Sequence, residues 1–132
     1  YAIYNIQTKE LTYASAGINV APIIIERSGE VRELNVDGFP ICKFLDFYVD
    51  DYSDTTIKLN TGDKILFYTD GLVESKNKDG NRFSEERLKN ILRSRSRLSA
   101  DELGSVISAK LVDFMGKSQL EDDVTYVTMQ VN

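Results

Sequence analysis

The chain has 132 residues, one domain by length, and its 42% hydrophobic and 28% charged residues are ordinary for a globular fold. Aspartate and glutamate number 21 against 16 lysine and arginine, and a net charge of −5 argues against nucleic acid and anionic membrane as partners. There is no histidine, which removes Ser-His-Asp and Cys-His catalysis, His-rich zinc sites and any imidazole base. Catalysis here has to rest on carboxylates, backbone, lysine, tyrosine or a hard metal ion. The single cysteine, Cys42, excludes an internal disulfide and fits a reducing, cytoplasmic compartment. No apolar stretch approaches the ~20 residues that span a bilayer. Tyr1-Ala2-Ile3-Tyr4 is not a signal peptide; the chain opens in mid-strand, as if something preceded it.

The N-terminal half reads as strands. Residues 1–6 and 11–15 are aromatic and branched, with Gln7-Thr8-Lys9-Glu10 as a hairpin-length connection. Residues 21–27, carrying Ile23, Ile24 and Ile25, and residues 31–36 form a second expected hairpin about Ser28-Gly29-Glu30. Residues 44–50 and 55–59 are further expected strands. Asn60-Thr61-Gly62-Asp63 then turns into 64–69, the most apolar strand of the chain. Two helices follow. Ser84 caps the first, with Phe83 and Leu88 as a hydrophobic staple. Ser99-Ala100-Asp101-Glu102 is a capping box for the second, whose face is Leu103, Val106, Ile107, Leu111 and Phe114 and whose end is Gly116. A last strand over 124–131 alternates apolar and polar residues. The order predicts an α+β class, an antiparallel sheet covered on one side by helices.

Two acidic clusters stand at strand ends. Asp70-Gly71 closes 64–69, and Glu121-Asp122-Asp123 precedes 124–131. If those strands are antiparallel neighbours, the carboxylates share one rim, with Gly71 letting the backbone turn sharply. Carboxylates converging without histidine or thiol suit Mg²⁺, Mn²⁺ or Ca²⁺. Asp-Gly is equally a common turn, and Asp-Asp before a strand is often only a solvated end.

Residues 75–86 nearly fit a calcium loop through Asn77, Asp79, Gly80 and Glu86. Ser75 replaces the first aspartate, Arg82 stands at a normally apolar position and a strand precedes, so a polar loop is the better reading. Arg87, Lys89, Arg93, Arg95 and Arg97 read as a solvated helix face, with docking of an acidic or phosphorylated partner as the alternative. Cys42 reads as a small buried hydrophobe, and Phe67 and Tyr68 as core.

Residues 59–74, with Tyr68-Thr69-Asp70-Gly71 at their centre, resemble the SpoIIE/RsbU-type branch of the metal-dependent (type 2C, PPM) serine/threonine phosphatases. Leu11-Thr12-Tyr13-Ala14-Ser15-Ala16-Gly17 is similar to that family's LTYANAG strand, and Gly38-Phe39-Pro40 to its G-x-P turn. Asn77, Gly80, Phe83 and Leu88 follow its N-x-x-G-x-x-F-x-x-x-x-L run, and Asp122-Asp123-Val124-Thr125 its closing DDIT. The resemblance covers nearly the whole chain. It implies a type 2C phosphatase-like sandwich of two antiparallel sheets flanked by helices, with two Mn²⁺ or Mg²⁺ ions on one rim.

By residue match, Asp70 and Asp122 would be metal ligands. Gly71 and Asp123 would support them, Asp123 standing where relatives often carry Asn. The implied activity is hydrolysis of phosphoserine or phosphothreonine on a regulatory protein, an anti-anti-sigma (STAS-type) partner in this branch, by a metal-bridging hydroxide. Three departures stand out. Ala16-Gly17-Ile18-Asn19-Val20 replaces the usual AGHNP, so Ile18 loses whatever that histidine does for substrate. Cys42 stands where relatives tend to have glycine. Nothing matches the family's first motif, Asp-x-x-Gly-His-Gly, whose aspartate bridges both metals. The chain therefore reads as the C-terminal portion of a phosphatase domain, with an open sheet edge that can pair with a second copy. The rival reading is a non-catalytic phosphoprotein-binding or regulatory module.

Overall fold

A computed structural model describes residues 1–35, 37–41 and 52–132. The strand expected over 44–50, Cys42 and the end of the strand expected over 31–36 lie outside them. Both hairpins form: β1 (Ala2–Asn5) pairs with β2 (Glu10–Tyr13), and β3 (Ile23–Ile25) with β4 (Val31–Glu33). They go to different sheets. β2 also pairs with β5 (Thr55–Lys58), giving the order β1-β2-β5. β3 pairs with β6 (Lys64–Tyr68), which pairs in turn with β7 (Tyr126–Gln130), giving β4-β3-β6-β7. All the pairings are antiparallel.

The single sheet covered on one side is thus corrected to a sandwich, the arrangement the phosphatase resemblance implies. Its physical reason is visible in β3 and β6, which are apolar at nearly every position because both their faces are buried. Ile23, Ile25, Leu66 and Tyr68 face the helices, in one core with Leu72, Phe83, Leu88, Leu92, Leu103 and Ile107. Ile24 and Ile65 face the three-stranded sheet, in a second core with Leu11, Tyr13, Leu34, Leu59 and Val131. Each fully buried Ile or Leu contributes roughly 1.5–3 kcal/mol, so the four-stranded sheet carries most of the stability.

Three helices lie on its far face: α1 (Asp70–Glu74), α2 (Glu85–Ser94) and α3 (Ala100–Met115). The helix starts at Ser84 and Ser99 and the end at Gly116 fall where the sequence puts them. The one correction is α1: Asp70-Gly71, expected as a turn, opens a short helix. The polar positions of β7 hold α3. Thr128 Oγ1 donates to Ala100 O (3.0 Å), Tyr126 OH to Gly104 O (2.9 Å), and Gln130 Oε1 accepts from Ala100 N (3.2 Å). Among the described residues no helix is long and apolar enough to cross a membrane.

The capping box of α3 is complete, with Glu102 Oε2 accepting from Ser99 N and Ser99 Oγ, both at 2.8 Å. These bonds, the backbone one foremost, hold the Glu102 carboxyl below its usual 4.5. A depressed carboxyl contributes stability that is complete above its unfolded pKa and lost as pH falls through the folded one. Glu102→Ala is therefore expected to lower Tm by a few degrees near neutral pH, the gap closing on acidification below about 4.5. Thermal melts across that range check this, and a gap that widened in acid would contradict it.

Candidate functional site

β6 ends at Tyr68, and Thr69 leaves it with extended backbone (φ −93°, ψ 157°) to cap α1. Thr69 caps nothing with its side chain; instead it ties two segments together. Its N–H donates to Thr125 O (2.9 Å), its hydroxyl donates to Asp123 O (3.1 Å), and Thr69 Oγ1 itself accepts from Thr125 N (3.1 Å). Asp70 comes next. Its Oδ1 accepts from Gly71 N (3.0 Å) and its Oδ2 from the Asn19 side-chain amide (2.6 Å). The positive end of α1 also favours a carboxylate here.

Gly71 is buried for a steric reason, not a conformational one. A Cβ built on it would lie well inside van der Waals contact of Asp123 O and 3.1 Å from Asp123 C. Its carbonyl accepts from Ser75 N (3.2 Å) and Ser75 Oγ (2.6 Å), so it faces α1. Asp122 is exposed, with Oδ1 accepting from Asp123 N (2.7 Å). Segments 69–71 and 123–125 are thus in direct contact at the ends of β6 and β7. Asp122 and Gly71 line a cavity of about 60 Å³, whereas Asp70 and Asn19 line a neighbouring recess of about 430 Å³. Glu74 and Arg82 border both and are paired at 2.8 Å.

Asp70 and Asp122 are hard oxygen donors, right in kind for Mg²⁺ or Mn²⁺. Their number falls short: among the described residues no three Asp, Glu, Cys or His side chains gather to hold an ion. Asn19 is the site residue that the motif reading passed over. Its signal was present, since it matches the asparagine of AGHNP, but nothing in the sequence said that it meets Asp70. Ile18 is 45% exposed beside it. The turns carrying two of the motifs interlock, because a Cβ on Gly17 would lie 2.5 Å from Pro40 Cγ and one on Gly38 would overlap Ser15 O.

Residues 76–82 form a small hairpin through the Lys76–Arg82 bridge, with Asn77 Oδ1 accepting from Asp79 N (3.1 Å) and Asn81 N (3.0 Å). Ser75 is buried, its hydroxyl on Gly71 O, which is the polar-loop reading of this segment. Ser84 follows at φ +70°, a strained conformation for a residue with a Cβ, and lines the same recess as Asp70. The basic run divides. The Arg87 guanidinium stacks 4.6 Å from the Phe114 ring centre, and Lys89 pairs with Glu33 (2.5 Å) and Glu85 (3.6 Å). Tyr68 is core as expected, and Phe67 is half-buried against the inter-sheet core. The Tyr68 hydroxyl is buried without a hydrogen-bond partner among the described residues, and burial, then Glu85 and Glu33, raise its pKa well above the usual 10.0.

The fold is shared with known proteins. The phosphoserine phosphatase RsbU of Bacillus subtilis (strain 168) is 29% identical over 134 residues, covering 98% of this chain and 37% of that protein. The SiaA-PP2C domain of Pseudomonas aeruginosa superimposes with a TM-score of 0.79 at 22% identity, over 96% of this chain and 48% of that one. The Mn-presoaked phosphatase domain of the cell fate determinant SpoIIE from Bacillus subtilis does so at 0.73 and 18%, over 100% and 55%. The chain thus spans about a third to just over half the length of these relatives, and its fold is that of PP2C-type phosphatase domains. The sequence profile of the stage II sporulation protein E family matches residues 1–132 throughout, and the chain belongs to that SpoIIE family.

Proposed function

We propose that this chain is the C-terminal portion of a metal-dependent protein serine/threonine phosphatase domain working in the cytoplasm. In this reading it acts on phosphoserine or phosphothreonine of a regulatory protein of the STAS-type anti-anti-sigma class. The observation that carries it is the contact of segments 69–71 and 123–125, which brings the Asp70 and Asp122 ends of β6 and β7 to one rim without histidine or thiol. The name of the 29% identical relative, a phosphoserine phosphatase, supports the reaction class, and the Mn-presoaked SpoIIE domain supports the cofactor.

Asp70 and Asp122 would hold Mn²⁺ or Mg²⁺ together with ligands from the rest of the domain. When bound, such ions supply Lewis-acid neutralisation of the phosphoryl oxygens for transfer to water. This chain's part is positional. Asn19 fixes the Asp70 carboxylate, Gly71 admits the Asp123 carbonyl, and Asp123 N–H orients Asp122. Among the described residues β1 is an edge strand, with Ile3 63% exposed, which suits pairing with a second copy. Exposed Ile18 and the shortage of gathered carboxylates among the described residues favour a second reading, a non-catalytic phosphoprotein-binding module with the phosphatase fold.

The test is Mn²⁺-dependent hydrolysis of p-nitrophenyl phosphate by this chain carried with roughly a hundred preceding residues, an ordinary domain size. Turnover is expected there, abolished by Asp70→Asn, with little or none from residues 1–132 alone. Robust turnover by the 132 residues overturns the partial-site reading. A folded, extended protein without activity leaves the binding module.

A further inference from the structure

At the opposite end of β6 from Asp70, about 20 Å away along the strand, lies a second cavity of about 830 Å³. Four pieces of chain enclose it: the exit of β3, the turn before β6, the connection from α2 to α3, and the end of β7. Its volume falls within the range of small-molecule sites, roughly 300–1,000 Å³. Its charge is the reverse of the rest of the protein. Arg27, Lys64 and Arg97 line it, and Glu102 is the sole acidic side chain among its lining residues. That carboxylate is already engaged by Ser99 in the capping box.

Lys64 gives the cavity its built character. It is 4% exposed, and its ammonium donates to Ser96 O (2.8 Å) and more distantly to Gly62 O (3.5 Å). An ammonium has three donors, so one is left over. Neighbouring Asp63 offsets part of its charge, but the Asp63 oxygens accept from Arg27 N (3.0 Å) and Asn60 N (2.8 Å) and hold the turn. The guanidinium groups of Arg27 and Arg97 have no hydrogen-bond or ion-pair partner among the described residues. Lys9 adds a further cation at the rim through Thr61. The N-terminal end of the 16-residue α3 opens here as well, adding its partial positive charge. Counting Asp63, Glu102 and the terminal carboxylate of Asn132 against Lys9, Arg27, Lys64 and Arg97, four cations still exceed three anions.

Two guanidinium forks without partners among the described residues, lining one cavity with a buried ammonium, match phosphate chemistry. Arginine grips phosphate oxygens in pairs and lysine supplies a point charge. We propose that this cavity binds a phosphate-bearing small molecule, with Arg27 and Arg97 holding the phosphate oxygens and Lys64 at its floor. The site is independent of the Asp70 rim, and of whether that rim is catalytic.

Isothermal titration of the 132-residue chain with inorganic phosphate and with pyrophosphate, in EDTA at low ionic strength, tests this. EDTA removes any metal-held phosphate at the other end of β6. Saturable binding is expected, tighter for pyrophosphate, weakening as salt rises. Arg27→Ala combined with Arg97→Ala should weaken it at least tenfold; both side chains are exposed, so circular dichroism should stay unchanged. Arg97→Glu alone should reduce it further than Arg97→Ala. Absence of saturable binding, or equal affinity in the double variant, overturns the proposal.

Discussion

Phe83→Ala is expected to destabilise the chain by about 4 kcal/mol, the typical cost of emptying a fully buried phenylalanine site. Phe83 has no exposed surface and meets Phe114 edge-on, with centroids 5.4 Å apart and planes at 73°. It also anchors its surroundings through the backbone. Its N–H donates to Ser75 O (2.8 Å) and its carbonyl accepts from Arg87 Nε (3.1 Å), while Ser84 N donates to Val73 O (2.8 Å). Those main-chain bonds survive in the alanine variant; what it removes is the ring, which packs in one core with Leu72 and Val73 of α1, Leu88 of α2 and Phe114 of α3. Because α1 begins with Asp70, its loss should loosen the candidate site as well as the core. Urea unfolding measures the cost; a loss under 1 kcal/mol would show that α2 and α3 collapse onto the gap, against the packing described.

Gly71→Ala discriminates between two opposed effects. On helix propensity alone, alanine in α1 should stabilise by about 1 kcal/mol. The Asp123 carbonyl occupies the space its methyl needs, and Thr69 pins that carbonyl from the other side. Overpacking of this kind costs typically 1–3 kcal/mol, so a net loss of about 2 kcal/mol is expected, with the 122–125 segment displaced. Thermal unfolding decides it by sign. A rise in Tm would mean that the two segments separate easily and that the rim is not a fixed feature.

Much of this architecture was legible. The capping serines, the Phe83–Leu88 staple and Gly116 are local devices, and local chemistry fixes them wherever the helix ends up. Both hairpins were legible for the same reason. What could not be read was which hairpin joins which sheet, since Leu11↔Ile57 and Ile24↔Ile65 unite residues far apart in sequence. The helix at Asp70 was missed because Asp-Gly is a strong turn signal, and here tertiary contact overrides it: Gly71 is selected for closeness to Asp123. The Asp70–Asn19 bond escaped for a related reason, as it links a strand end to a loop that only the finished sandwich brings near. The basic run was legible in composition but not in role, because Arg87 lies on an aromatic ring while Arg97 faces a cavity.

The central place of β6 has a kinetic side. It is flanked by β3 and β7, and the register Phe67↔Val127 closes across a connection that holds all three helices. Bringing such distant segments together costs loop-closure entropy before any burial offsets it, and sheets built this way form in milliseconds to seconds. The hairpins and α3 can gather early from neighbouring residues. The rim that brings the Asp70 and Asp122 segments together depends on that long-range pairing, because each lies on a different side of it. Without β7 the apolar strand Ile65-Leu66-Phe67 would present an unpaired edge, the kind of surface that invites aggregation.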